Sequence, residues 1–180
     1  TMRWSMEVTG RVDAQGVTAY VLRGHPSETA WWEPGRTPGE HLIACVGPDK
    51  YYLLSGQRAR DALSRLRDSE DVLFDLVRDS EMFLELPLAP GRVFGETAQL
   101  TRRDGMYCWT VAGQADVRFD AVSGISPSKK YTEYELSFRS LPEHIVLGFV
   151  PGIGITRYSY GHHGTVSSAE LHLVEYRHAP

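Results

Sequence analysis

The residues in this chain best suited to chemistry gather near its C-terminus, where Gly161-His162-His163-Gly164 sets two imidazoles at a hairpin tip and His172 and His178 follow. Imidazole is the side chain that changes charge nearest neutral pH, so such a group could move protons or hold a metal. Adjacent residues of an extended chain point apart, however, and zinc needs three or four convergent ligands. A solvated turn is therefore the better reading of His162 and His163, and neither a metal nor any other cofactor is expected. The alternative is a hydrolase centre in which His162, His163 or His172 works with a nearby carboxylate. Glu133 and Glu135 share one strand face and could resemble an acid/base pair, but they read more simply as the wet side of a strand.

Pro151-Gly152-Ile153-Gly154-Ile155 looks like half of a dinucleotide-binding fingerprint. The third glycine is replaced by Arg157, and Tyr158 and Tyr160 continue a strand where a helix should open. Without a helix N-terminus no amide cluster holds a pyrophosphate, so a strand bend or bulge is expected. There is no G-x-S-x-G elbow, H-E-x-x-H, phosphate-binding loop or calcium-loop spacing. Trp31 and Trp32 stand in a loop rich in proline and glycine. Such a pair either plugs the end of a sheet, the plainer reading, or offers an apolar anchor to a ligand, partner or membrane interface. Trp31, Trp32, Tyr158, Tyr160, His162 and His163 are the candidate binding residues. Cys45 and Cys108 lie in expected strands without a CxxC spacing and read as buried free thiols, with a disulfide in an exported protein as the alternative.

The elements that position these residues are mostly strands. Period-two alternation marks Met2–Val12, Val17–Arg23, His41–Val46, Tyr51–Ser55, Ala115–Val122, Tyr131–Arg139, His144–Val150, Ile153–Tyr160 and Ala169–Arg177. Thr97–Arg102 and Met106–Val111 read as a hairpin across Asp104-Gly105, which brings the count to about eleven strands. One stretch has a helical period: Ala59, Ala62, Leu63 and Leu66 form the apolar stripe of a helix over about Gln57–Arg67. Ser69 is placed to cap a second helix that carries Leu73, Leu76 and Val77 and ends by Asp79. The expected fold is α+β: one antiparallel curved sheet or partial barrel packed on a two-helix insert at about 57–79, in a single domain over 1–180.

Composition narrows the function classes. With 180 residues, 42% hydrophobic and 23% charged, the chain can bury an ordinary core. A net charge of −4 gives no reason to expect nucleic acid, which requires a concentrated positive field. The longest uncharged apolar stretch, Ile145–Thr156, is too short to span a bilayer and contains Pro151. The chain opens Thr-Met-Arg inside a strand pattern, which suggests an upstream segment such as an export signal or lipid anchor.

Tyr134-Glu135-Leu136-Ser137-Phe138, then Phe149-Val150-Pro151-Gly152-Ile153-Gly154-Ile155, then Leu171-His172-Leu173-Val174-Glu175-Tyr176 follow one another in an order that resembles the closing hairpins of uncharacterised bacterial envelope proteins and lipoproteins. Leu86-Pro87-Leu88-Ala89-Pro90-Gly91-Arg92-Val93-Phe94 is similar to a further segment of those proteins, with Phe94 where they carry Trp. At the level of fold alone, the order of strands and helices is similar to lipoprotein carriers of the LolA-like type. The resemblance implies an extracytoplasmic location, with an apolar ligand or an envelope protein as partner. It carries over no catalytic residue. The expected function is non-enzymatic binding or scaffolding, with an apolar or lipid-like molecule as candidate ligand.

The chain contains no asparagine, sixteen arginines and three lysines. Either a thermophilic protein or a GC-rich genome produces that bias. If heat selected it, calorimetry will place the unfolding midpoint above the ~45–65 °C of mesophile domains. A midpoint inside that range leaves genome composition as the sole cause.

Overall fold

The computed structural model describes residues 2–78 and 81–178, so Asp79, the expected end of the helical insert, lies outside the described residues. The protein is α+β, with eleven strands among the described residues in two antiparallel sheets of five and six, neither closed into a barrel. The single curved sheet expected from the sequence is thus two sheets. Strand twist accumulates across a sheet, and one of about ten strands tends to split. The chain divides into two compact units, Thr1–Pro87 with Phe94–Arg103, and Leu88–Val93 with Asp104–Pro180.

The first unit holds the sheet β1-β2-β3-β4-β5, in chain order: Glu7–Ala14, Val17–Arg23, Glu40–Val46, Lys50–Ser55 and Met82–Glu85. β1 and β2 join through Gln15 and Gly16, both at positive φ (50° and 73°), the conformation a two-residue hairpin turn requires. Ala19, Ala44, Tyr52 and Met82 form one buried row across β2 to β5, and Val21, Leu42 and Leu54 form the next. The alanines leave room over the middle strands. Helix α1, Gly56–Arg67, packs on β1, β3 and β4 and buries Ala59, Ala62 and Leu66. Burying those three apolar side chains, rather than helix propensity, is what holds α1 in place.

Ser69 does not cap a second helix. It comes after the C-cap of α1 at φ 58°, its amide bonds to the Leu66 carbonyl, and the Glu70 amide bonds to the Arg65 carbonyl. This is the helix-ending arrangement that normally uses glycine. Helix α2 is a single turn, Leu73–Leu76, where Asp71 Oδ1 accepts from the Leu73 amide. Val72, just before it, and Leu76, its last residue, are buried.

The sheet β11-β10-β9-β8-β7-β6 belongs to the second unit except for Phe94 and Gly95 of β6, which the division assigns to the first. Its strands are β6 (Val93–Gly95), β7 (Cys108–Val117), β8 (Tyr131–Arg139), β9 (Glu143–Val150), β10 (Gly154–His162) and β11 (Ser168–His172). The hairpin expected at Asp104-Gly105 does not form. Thr97–Gln99 is a short 3-10 turn, and β7 pairs with β8 instead. Asp104 and Gly105 do turn the chain, with the Met106 amide donating to Asp104 Oδ1. The Tyr107 amide then donates to the carbonyl of Arg139, at the end of β8. The segment expected as one strand at Ala169–Arg177 is β11 plus a separate tie. There Ser123 bridges Glu175 in parallel, bonding to the Val174 carbonyl and the Tyr176 amide. Leu136, Val111, Leu147, Val150 and Tyr158 fill this unit's core.

Serine in the left-handed region carries a steric penalty that glycine lacks. Ser69→Gly should therefore raise stability by about 0.5–1 kcal/mol, read as a higher urea midpoint at unchanged slope.

Candidate functional site

The loop between β2 and β3 in the first unit carries the tryptophan pair, and a small polar cluster holds its base. The Gly24 amide donates to the Gly39 carbonyl at 3.2 Å, which closes the loop. Gly24 has φ 75°, and a Cβ there would lie 2.2 Å from the Ser5 carbonyl oxygen, so no other residue fits. His25-Pro26-Ser27-Glu28 then starts a 3-10 helix, Pro26–Trp31, with His25 as its N-cap and proline in the first turn, where its missing N–H costs nothing.

His25 Nδ1 accepts from the Ser27 amide at 3.2 Å and lies 2.7 Å from Ser27 Oγ. An acceptor at Nδ1 places the neutral ring's proton on Nε2. Glu28 bridges two elements: Oε2 accepts from the Gly39 amide at 2.8 Å, and Oε1 is 3.1 Å from His41 Nε2, at the start of β3. The two imidazole rings stand 5.3 Å apart, tilted by 49°. Both are buried, His25 to 5% exposure and His41 to 7%. Burial, with His41 alongside, drives the His25 pKa down to about 3. Burial also lowers that of His41, against the pull of the Glu28 carboxylate. Both rings are therefore neutral at pH 7. His41 Nδ1 is buried and has no hydrogen-bond partner among the described residues.

A serine hydroxyl against an imidazole invites a catalytic reading, but the electrostatics oppose it. A base pushed to about 3 is a poor acceptor for a serine proton at neutral pH, and its lone pair already serves the Ser27 amide. Among the described residues no three His, Cys, Asp or Glu side chains gather at metal-binding distances.

The paired tryptophans part company. Trp32 packs edge-on against Trp4, with ring centroids 4.8 Å apart, and Trp4 Nε1 donates to the Gly24 carbonyl at 2.7 Å. Trp31 is 51% exposed at the end of the 3-10 helix. Trp32 is thus packed against Trp4, whereas about half of the Trp31 surface is exposed.

The other sequence candidates lie in the second unit. Tyr158 and Tyr160 are core residues of β10. The Tyr160 hydroxyl donates to Glu143, whereas Tyr158 Oη has no partner among the described residues and burial raises its pKa. His162 ends β10, its amide bonded to the Ser167 carbonyl and its Nδ1 3.1 Å from Thr165 Oγ1. His163 is exposed, and its amide donates to the Pro142 carbonyl. His172 pairs with Glu170 at 3.1 Å on the exposed face of β11. Cys45 and Cys108 are free thiols; Cys45 is half-buried, against the expectation of full burial.

Glu133 and Glu135 prove to be more than a wet strand face. Pro151–Ile153 turns the chain between β9 and β10, and a bulge between Ile155 and Arg157 comes directly after it. Neighbouring strand residues normally point to opposite faces, but the bulge sends both Thr156 and Arg157 toward the glutamates. Thr156 Oγ1 donates to Glu133 at 2.5 Å, while Arg157 Nη2 reaches Glu135 at 2.9 Å and Glu133 at 3.7 Å. Glu135 on β8 and Arg157 on β10 both pair with Gly148 on β9, whose bare backbone lets the long side chains meet above it.

Sequence reasoning missed the His25–His41 pair, since it read the stretch around Trp31 and Trp32 as a loop rich in proline and glycine and weighed only its two tryptophans. The local signal was His-Pro-Ser-Glu, a helix start with proline and acid in the first turn. Comparison with protein-family models, curated proteins and solved structures finds no match to this chain.

A Cβ on Gly148 would lie 2.9 Å from the Glu133 carboxyl carbon. Gly148→Ala should therefore push Glu133 off the buried Thr156 hydroxyl and cost about 1 kcal/mol in a denaturant melt. In a Thr156→Val background that cost should vanish or reverse, because alanine is the better strand residue and nothing is left unpaired.

Proposed function

We propose that this chain is a non-enzymatic binding or scaffolding domain working outside the cytoplasm, and that it offers Trp31 to an apolar or lipid-like group of a ligand or envelope partner. The observation that carries the reading is the half-exposed Trp31 indole on a loop whose base is fixed by Gly24, Glu28 and the Trp4–Trp32 contact. An exposed aromatic on a pre-ordered support presents a large contact area and loses little freedom on binding. The likeness of the C-terminal hairpins to bacterial envelope proteins supports the location. No helix among the described residues is long and apolar enough to cross a membrane.

The side chains that could do chemistry are engaged with one another. His25 caps a helix, Glu28 ties His41 to Gly39, and Glu133 and Glu135 are held by Thr156 and Arg157. Apart from His41 Nδ1, each arrangement satisfies its buried or half-buried polar groups and leaves little free to act on a substrate.

A fluorescent fatty acid titrated at pH 7.5 should bind in the micromolar range, and Trp31→Ala should weaken it about tenfold or more, the loss of one aromatic anchor. Equal affinity in the variant, or no binding by the native chain, removes Trp31 from the reading. Turnover in a hydrolase screen that disappears on replacing His162 or His163 overturns the non-enzymatic assignment.

A further inference from the structure

Two imidazoles are buried side by side at the base of the Trp31 loop, and among the described residues a single carboxylate serves them. His25 Nδ1 accepts from the Ser27 amide, so a proton on that nitrogen would face an N–H that cannot turn away, and the helix cap would break. His41 Nε2 lies against Glu28, and its Nδ1 has no acceptor among the described residues to receive a second N–H. The groups facing the pair from neighbouring strands offer no further counter-charge. Leu22 on β2 and Ser55 on β4 stand opposite His41, and Arg23 is turned outward to Glu40 at 3.4 Å. Glu28 is the carboxylate that acts on the pair, through His41, and it also holds the Gly39 amide. Two buried cations against one shared anion is an arrangement the closed loop cannot hold without loss.

We propose that the His25–His41 pair is an acid-released latch: protonation of the two rings breaks the helix cap and the Glu28 bridge, frees the Pro26–Gly39 segment, and withdraws Trp31 from its binding pose. The consequence for binding rests on the function proposed above; the opening itself does not.

Proton uptake sets the direction. His25 has a pKa of about 3 in the closed loop, and an opened loop returns it to the ordinary value of about 6.5. Between those values the open form binds more protons, so closure is fully favoured above about pH 6.5 and is lost as pH falls toward 3. Proton uptake by His25 alone raises the open-to-closed ratio about tenfold per pH unit in that window, and His41, whose pKa burial also lowers, acts in the same direction.

The test uses a chain with Trp31→Phe and Trp109→Phe, which leaves Trp4 and Trp32 as the only indoles. Its emission is followed from pH 7.5 to 4 without ligand, beside far-ultraviolet circular dichroism. The latch predicts a red shift as Trp32 leaves Trp4, at constant sheet signal. Adding His25→Asn and His41→Gln, which keep a cap acceptor and a donor to Glu28 without titrating, should abolish the shift. Emission that is flat with pH, a shift that survives the double substitution, or a shift that accompanies loss of sheet overturns the proposal. Hydrogen exchange on the unmodified chain supplies a check independent of the variants. After correction for intrinsic rates, the Ser27 and Gly39 amides should lose protection at least tenfold between pH 6.5 and 5 while those of Val21 and Leu42 keep theirs. Equal behaviour of the two sets overturns the latch. Because no ligand is present, failure here is distinct from failure of Trp31 to bind the fatty-acid probe.

Discussion

The Glu28 carboxylate is the contact on which the candidate site depends. It reaches from a 3-10 helix to the Gly39 amide on one side and to His41 on the other, so a single side chain joins the loop's outgoing arm, its return and the sheet. An anion hydrogen-bonded to a backbone amide and an imidazole holds more firmly than neutral pairs do. Around it the remaining constraints agree. Gly24 lets the Ser5 carbonyl approach where no side chain could, and Trp4 spans from the chain's beginning to Gly24 and Trp32. The loop is sixteen residues long and low in regular structure, yet its two ends and its middle are each fastened. That is the usual condition of a loop that presents a residue instead of merely connecting strands.

The second unit solves a comparable problem by another route. Arg157 and Thr156 are neighbours in sequence and would face opposite ways on a regular strand, but the bulge brings both to Glu133 and Glu135. Gly148 clears the surface between them. Thr156 is buried, so its hydroxyl needs a partner, and Glu133 supplies one. In both clusters acids and bases are brought close and engage one another, with His41 Nδ1 the buried atom left over. A catalytic centre instead keeps a reactive group available to substrate with its pKa matched to the working pH. His25, held near 3, is far from that condition.

How much of this was legible in the sequence depends on how local the determining contacts are. Val17–Arg23 and Tyr131–Arg139 have the boundaries their alternation implied, because burial of one face is written in every second residue. The helix around Ala59, Ala62 and Leu66 was legible for the same reason. Ser69 misled, because Ser-Glu-Asp before an apolar pair is also what a helix start looks like; only the hydrogen bonds to Arg65 and Leu66 reveal the end of the preceding helix. The alternation of Met2, Trp4, Met6 and Val8 misled in another way. Strand β1 begins only at Glu7 and lies at the sheet's edge, and Met2, Met6 and Val8 are exposed. The split into two sheets left no local trace, since each strand's pattern is the same whichever sheet it joins. The histidine pair was unreadable because its members are separated in sequence and meet only through pairing of β2 with β3.

The separate fates of Trp31 and Trp32 arise from the same geometry. Trp31 is the last residue of the 3-10 helix, and Trp32 is already extended at φ −73° and ψ 131°, with its amide bonded back to the Thr29 carbonyl. The change of backbone conformation between them turns the two indoles in different directions. Trp32 is directed to Trp4, where an edge-to-face contact holds it, and that contact rests on Trp4 being fixed by the Gly24 carbonyl. The exposure of Trp31 is thus set by the cap at His25: the cap fixes where the 3-10 helix begins, the helix fixes where it ends, and the end determines which tryptophan packs on Trp4 and which stays half exposed. A proton at His25 Nδ1 acts on the first of those steps, six residues before the indole it releases.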